Sequence, residues 1–198
     1  MRRSEAIAVL AKERDGAISV AAMQAIMAWH AAGQAEADHL DALGCMGSAS
    51  SIGLGLALAR PERRVVVLDG DGCLLMQLGS LITIAAQRPE NFYHVIFENG
   101  RYETSGNQAL PGFGVFDLPK LALAAGYRAA WSIDDARELQ EALPRIFRAP
   151  GPTLIRLAIA PDEPVTPWPR VTMNEQIRAL RSRFGVNDGL NDDGGAAQ

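Results

Sequence analysis

Hydrophobic positions along this 198-residue chain change period several times, and each change marks an element. Residues 3–14 (RSEAIAVLAKER) set Ala6, Ile7, Val9 and Leu10 among charges, the stripe of an amphipathic helix. Asp15-Gly16 breaks it. Residues 17–20 (AISV) then read as a short first strand, and 21–32 (AAMQAIMAWHAA) as a mostly buried helix ended near Gly33. A polar connection, 34–38, leads through 39–43 (HLDAL) into 44–61, GCMGSASSIGLGLALARP, a turn followed by a helix with Ser48 and Ser50 as candidate N-cap hydroxyls. The run 65–68 (VVVL) is apolar without alternation, as a strand covered on both faces requires. It enters Asp69-Gly70-Asp71-Gly72. A helix over 74–87 with an interruption at Gly79 follows, then a second buried strand over 92–97 (FYHVIF) that ends in Glu98-Asn99-Gly100.

The stretch 101–114 (RYETSGNQALPGFG) has neither period and reads as a binding loop or lid. Beyond it the pattern predicts a helix over 118–125 ended by Gly126, a strand over 127–133, a helix over 135–147 capped by Asp134, and a last strand over 152–159. Composition then shifts: Pro-rich to Pro169, a helix over 174–184, and a Gly/Asp/Asn-rich tail. Strands alternating with helices predict an α/β fold, a three-layer domain with a mainly parallel central sheet flanked by helices. We place that domain at 1–165, a C-terminal extension with its helix at 166–184, and a disordered tail at 185–198.

Composition narrows the function. A 48% hydrophobic and 21% charged chain is an ordinary globular one, and a net charge of −4 without a basic patch argues against nucleic acid as partner. Two cysteines, Cys45 and Cys73, form neither a metal-ligand spacing nor a disulfide framework, which fits a reducing cytoplasm. No apolar run approaches the ~18 residues of a membrane span, and the start, MRRSEAIAVLAKERDG, lacks a signal peptide's apolar core.

The chemistry concentrates between the two buried strands. In a parallel sheet both turns fall at the carboxyl edge, so Asp71 and Asn99 are expected side by side. Glycines around Asp71 leave room for an anion and expose N–H groups where a helix begins. A carboxylate beside a phosphate needs a cation between them, and Mg²⁺ or Ca²⁺ takes such oxygens together with phosphate oxygens. Asn99 adds a neutral oxygen, and Gly100 lets the chain turn so that a nearby carbonyl can face the ion. The plainer readings stand beside these. Asp-Gly is turn chemistry anywhere, the glycines of 44–55 also suit a helix packed tightly on a sheet, and Met46, His30 and His94 suit core positions.

The order strand–GDG–helix–strand–Asn resembles the diphosphate-binding motif of thiamine-diphosphate enzymes. Twenty-five residues, Cys73 to Phe97, separate GDG from Glu98-Asn99, close to the family's two dozen. GCMGSASSIGLGLAL, VVVLDGDGCLLMQLGSL and ENGRYETSGNQ further resemble the β-type subunit of sulfopyruvate and phosphonopyruvate decarboxylases, a continuous match over 44–108. The resemblance implies thiamine diphosphate and Mg²⁺ as cofactors. Asp71 and Asn99 would be metal ligands, with the backbone carbonyl of Arg101 as a third. Gly44, Gly70, Gly72, Cys73, Tyr102 and Ser105 would contact the cofactor, the N–H groups of Gly72 and Cys73 at the diphosphate. Met46 would hold the cofactor in its bent shape, and Gly106, Asn107 and Gln108 are further contact candidates.

Glu98, Cys73, Arg101 and Glu103 depart from the family pattern. In this superfamily a second domain binds the pyrimidine and supplies its activating glutamate. This chain has room for only the diphosphate half. The resemblance therefore implies a cytoplasmic 2-oxo acid decarboxylase completed by a pyrimidine-domain α-type subunit, in an α2β2 assembly. Self-association is also expected if the helix over 21–32 is otherwise exposed. Alternatives are a carboligase of acetolactate-synthase type and a non-catalytic cofactor-binding subunit.

Overall fold

In the computed structural model, which describes residues 1–36, 38–160 and 170–186, helices and parallel strands alternate along the chain. In order these are α1 (Arg3–Lys12), β1 (Ile18–Ala22), α2 (Gln24–Ala31), β2 (His39–Ala42), α3 (Ala49–Ala59) and β3 (Val65–Gly70). Then come α4 (Asp71–Met76), α5 (Ser80–Gln87), β4 (Phe92–Glu98), β5 (Arg101–Tyr102) and β6 (Gln108–Ala109). The last are α6 (Leu118–Ala125), β7 (Ala129–Ile133), α7 (Ala136–Ile146), β8 (Thr153–Ala158) and α8 (Met173–Arg183). Six strands form one sheet in the order β2-β1-β3-β4-β8-β7, every neighbouring pair parallel, while β5 and β6 make a separate small hairpin.

The expected three-layer architecture is what the chain adopts. On one face, Val66 and Leu68 of β3 and Tyr93, Val95 and Phe97 of β4 pack under α1, α2 and α7. On the other, Val65, Val67, Phe92 and Ile96 pack under α3, α5 and α6. Both faces of β3 and β4 are thus covered, which is why these strands carry no polar alternation. The topology reverses between β1 and β3: β1 and β2 run to one side, β4, β8 and β7 to the other. Ligands of such sheets bind outside the carboxyl ends of the strands at this switch point, and there β3 ends at Gly70 and Asp71 follows.

Several expectations shift. The first strand runs to Ala22, and the helix after it starts at Gln24 instead of residue 21, because Ala21 and Ala22 pair with Asp41, Ala42 and Leu68. Residues 39–42, read as part of a lead-in, are a sheet-edge strand. The helix over 74–87 divides into α4 and α5, with Gly79 as the N-cap of α5. The loop 101–114 contains the hairpin and a 3-10 turn, Glu103–Ser105. Ser48 occupies the N-cap of α3 without a side-chain cap bond, and Ser50 lies inside the helix bonded to Ser80 Oγ at 3.0 Å. The cap of α7 is Asp135, which accepts from Arg137 and Glu138 N–H, and not Asp134. The Pro-rich stretch over 161–169 and the tail over 187–198 lie outside the described residues.

The glycines of 44–55 divide by role. Gly53 brings α3 onto the sheet: a Cβ there would stand 2.2 Å from Val67 Cγ2 and 3.2 Å from the Phe92 ring. Gly44 and Gly47 have φ of +73° and +85°, left-handed backbone that glycine adopts without strain. Residues Ala25 to Trp29 of α2 are buried within this chain, against α1 and the sheet, which removes the expected reason for self-association.

Candidate active site

Asp71 opens α4 directly after β3, and Asn99 follows β4, so two adjacent parallel strands bring them together across 28 residues of sequence. The contact is direct. Asp71 Oδ2 accepts the N–H groups of Asn99 (3.0 Å) and Gly100 (2.7 Å), and Oδ1 accepts that of Gly72 (2.8 Å). The carboxyl is buried, and no cationic side chain bonds it among the described residues. Burial pushes its pKa up, and nearby Glu98 adds to this, against the pull of the three N–H groups. A charged carboxylate in such a place calls for a cation. Asn99 Oδ1 takes Arg101 N–H at 2.9 Å and keeps a second lone pair. Asp71 and Asn99 thus offer hard oxygen donors, which suit Mg²⁺ and not a soft metal.

A cleft opens over these groups. Of the residues expected there, Met46, Gly70, Asp71, Gly72, Cys73, Asn99, Arg101 and Tyr102 all line it; Gly44, Ser105, Gly106, Asn107 and Gln108 do not. The glycines of the GDG turn do different work. Gly70 is open on the side a Cβ would occupy, where Cys73 Cβ is 4.0 Å away. Gly72 is filled by a neighbour: a Cβ would meet the Tyr102 ring at 2.6 Å and Leu110 at 3.3 Å. Gly72 therefore lets the hairpin close on α4, an approach that GDG chemistry alone did not foretell. Gly100, at φ +70°, likewise lies against the Phe113 ring. Cys73 joins the two halves of the motif, since its Sγ accepts Gly47 N–H at 3.0 Å. Burial, with Asp69 next in importance, holds that thiol far above its usual pKa, so it stays protonated.

Residues unmarked in the sequence also reach the cleft. Ala22, Met23 and Gln24 arrive because β1 also ends at this edge. Met23 has φ +51°, a strained conformation for a non-glycine residue and one that gathers at functional sites. Arg3, buried on α1, forms an ion pair with Glu103 of the 3-10 turn and so ties the loop to the body of the domain. Parallel topology could have announced Met23 and Gln24; nothing in the sequence announced Arg3. Asp69 is fully buried beneath the cleft, where Oδ1 accepts Gly70 N–H and Oδ2 lies 3.2 Å from His94 Nε2. His94 is thus a bonded core histidine, as expected. Glu98 turns to Arg156, 2.6 Å from its Nε.

Comparison with known proteins identifies the family. Residues 19–157 match the family model described as thiamine pyrophosphate enzyme, C-terminal TPP binding domain. The phosphonopyruvate decarboxylase of Streptomyces viridochromogenes is 43% identical over 145 residues, 73% of this chain and 36% of that protein. The sulfopyruvate decarboxylase subunit beta of Methanothermobacter thermautotrophicus is 52% identical over 97 residues, 49% of this chain and 51% of that one. The chain thus spans about a third of the first of these relatives and half of the second. A solved structure of a thiamin diphosphate-dependent enzyme isolated from Mycobacterium smegmatis superposes with a TM-score of 0.65 at 19% identity. It covers 82% of this chain and 32% of that one, and shares the fold.

Proposed function

The chain belongs to the thiamine pyrophosphate enzymes as a TPP-binding domain of the C-terminal type, and we propose that it is the diphosphate- and Mg²⁺-binding half of a 2-oxo acid decarboxylase. The observation that carries this is Asp71, a buried carboxylate that faces a cleft, is held by backbone N–H groups and lacks a counter-charge among the described residues. Asp71, Asn99 Oδ1 and the Arg101 carbonyl would hold the ion, and Cys73 N–H at the start of α4 would face the diphosphate; Gly72 N–H, the other expected contact, is taken by Asp71 Oδ1. Met46, lining the same cleft, would support the cofactor's bent shape. The bound cofactor would supply an electron sink for loss of carbon dioxide from a 2-oxo acid. The chain's own part is to bind, orient and exclude water.

The substrate class follows the names of the relatives, a 2-oxo acid with a sulfonate or phosphonate group. A second anion needs cations at the cleft; Arg101 lines it, and Arg3, which lines it too, is paired with Glu103. A pyrimidine-domain subunit, in an α2β2 assembly, would complete the site; the relative's designation as a beta subunit supports that partner. No described helix is long and apolar enough to cross a membrane, and two free cysteines fit the reducing cytoplasm we assign. The test is calorimetric titration of the chain with thiamine diphosphate in the presence of Mg²⁺ and of EDTA. Binding should require Mg²⁺ and should weaken about a hundredfold, or ~2.7 kcal/mol, in Asp71→Ala. Equal binding by the variant, or none by the wild type, overturns the proposal.

A further inference from the structure

A second cluster of chemistry-bearing side chains lies at the far edge of the sheet, and none of its members lines the cleft. We propose that His30, His39 and Asp41 form a site for a divalent transition-metal ion, Zn²⁺ above all, that pins the edge strand β2 to α2 and, through Gln176, to α8. His39 and Asp41 stand two apart on β2 and so share a face, while His30 comes from the last turn of α2. Asp41 Oδ1 is 2.7 Å from His39 Nε2 and Oδ2 is 2.9 Å from His30 Nε2, and donor atoms of all three lie within 4.8 Å of one another. Two imidazoles and one carboxylate are a nitrogen-rich set that favours Zn²⁺ over Mg²⁺ or Ca²⁺.

What surrounds the three residues is the outer support that metal ligands need. Ser19 Oγ lies 2.8 Å from His39 Nδ1 and itself accepts the Trp29 indole N–H at 3.1 Å, which fixes the ring plane. Asp41 is held from the other side: Gln176 Nε2 donates to its Oδ2 and Gln176 Oε1 accepts its backbone N–H, both at 2.8 Å. An ion would replace the two His–Asp hydrogen bonds. Tetrahedral ligand atoms around Zn²⁺ stand about 3.3 Å apart, so the present contacts would open by roughly half an ångström. His39 Nε2 would give its proton up to coordination, and Nδ1–H would then donate to Ser19 Oγ.

His30 and His39 both line a cavity, together with Glu36, Glu175, Gln176 and Arg183. Arg183 is committed to Asp38, at 3.1 Å, and to the Glu36 carbonyl. Arg14 is bound to the carbonyls of Ala17, Gln34 and Asp38. Neither cation bonds to the cluster.

Metal-free full-length chain titrated with Co²⁺, used as a visible probe, should develop the absorption of a nitrogen/oxygen site at one ion per chain and lose it on addition of Zn²⁺. Zn²⁺ should also raise the unfolding temperature. His30 is the partly exposed member, so His30→Gln should fold and should bind Zn²⁺ at least about tenfold more weakly. Asp71→Ala, which removes the proposed Mg²⁺ ligand in the cleft, should leave the Co²⁺ spectrum unchanged. Absence of a stoichiometric Co²⁺ spectrum in the wild type, or equal Zn²⁺ affinity in His30→Gln, overturns the proposal.

Discussion

A methyl group on Gly72 would stand 2.6 Å from two carbons of the Tyr102 ring, closer than side chains tolerate, and Tyr102 belongs to the hairpin over the cleft. The ring can swing outward, since it is only partly buried, so Gly72→Ala should fold. The swing would displace Arg101, whose carbonyl is the proposed third ligand. We expect thiamine diphosphate affinity with Mg²⁺ to fall about tenfold, or ~1.4 kcal/mol, with an unfolding temperature within a few degrees of wild type. Titration calorimetry and a thermal melt check both. If affinity is unchanged, Gly72 serves packing alone. At this scale the sequence was informative where chemistry needs a residue type at a fixed spacing, as with Asp71 and Asn99. It was silent on Arg3 and Asp69, because a buried arginine on a terminal helix and an aspartate at a strand end carry no local pattern; only tertiary approach makes them part of the site.

Elements were legible in proportion to their hydrophobic signal. The doubly buried β3 and β4 stood out as runs without alternation, and Gly126, left-handed in the structure, marked the end of α6. Strand β2 was not recognised: its four residues HLDA include a histidine and an aspartate turned inward, paid for by hydrogen bonds from Gln176 and Ser19 that no window of sequence contains. The cap of α7 shows the usual uncertainty at a boundary. Two aspartates compete, and Asp135 wins because its backbone is extended and its Oδ1 reaches Arg137 N–H (2.9 Å) and Glu138 N–H (2.8 Å). Asp135→Ala should therefore cost about 1 kcal/mol in urea unfolding. Asp134→Ala loses an exposed carboxylate's contact with Arg156 and should cost less. Equal losses would show that Asp134 shares the cap.

At the scale of the molecule, the proposed function makes this domain one wall of an active site. Apolar side chains remain exposed at the end of the site loop and just past it: Phe113 is 52% exposed and Val115 89%, with Phe113 lying against Gly100 next to Asn99. An apolar surface left beside a charged cleft suits a partner that arrives over both, and this is where we place the pyrimidine-domain subunit. Val115 lends itself to the test because it is almost wholly exposed, so a charge there should leave the fold and the cation site intact. Val115→Glu should bind thiamine diphosphate and Mg²⁺ as the wild-type chain does. Titrated into a fixed amount of the pyrimidine-domain subunit, it should need at least about tenfold more chain to reach half-maximal decarboxylase activity, because burying an unpaired carboxylate in an interface is costly. The wild-type chain alone should give no turnover at any concentration. Turnover by the isolated chain would show a complete site in one polypeptide, and normal complementation by Val115→Glu would move the partner to another face.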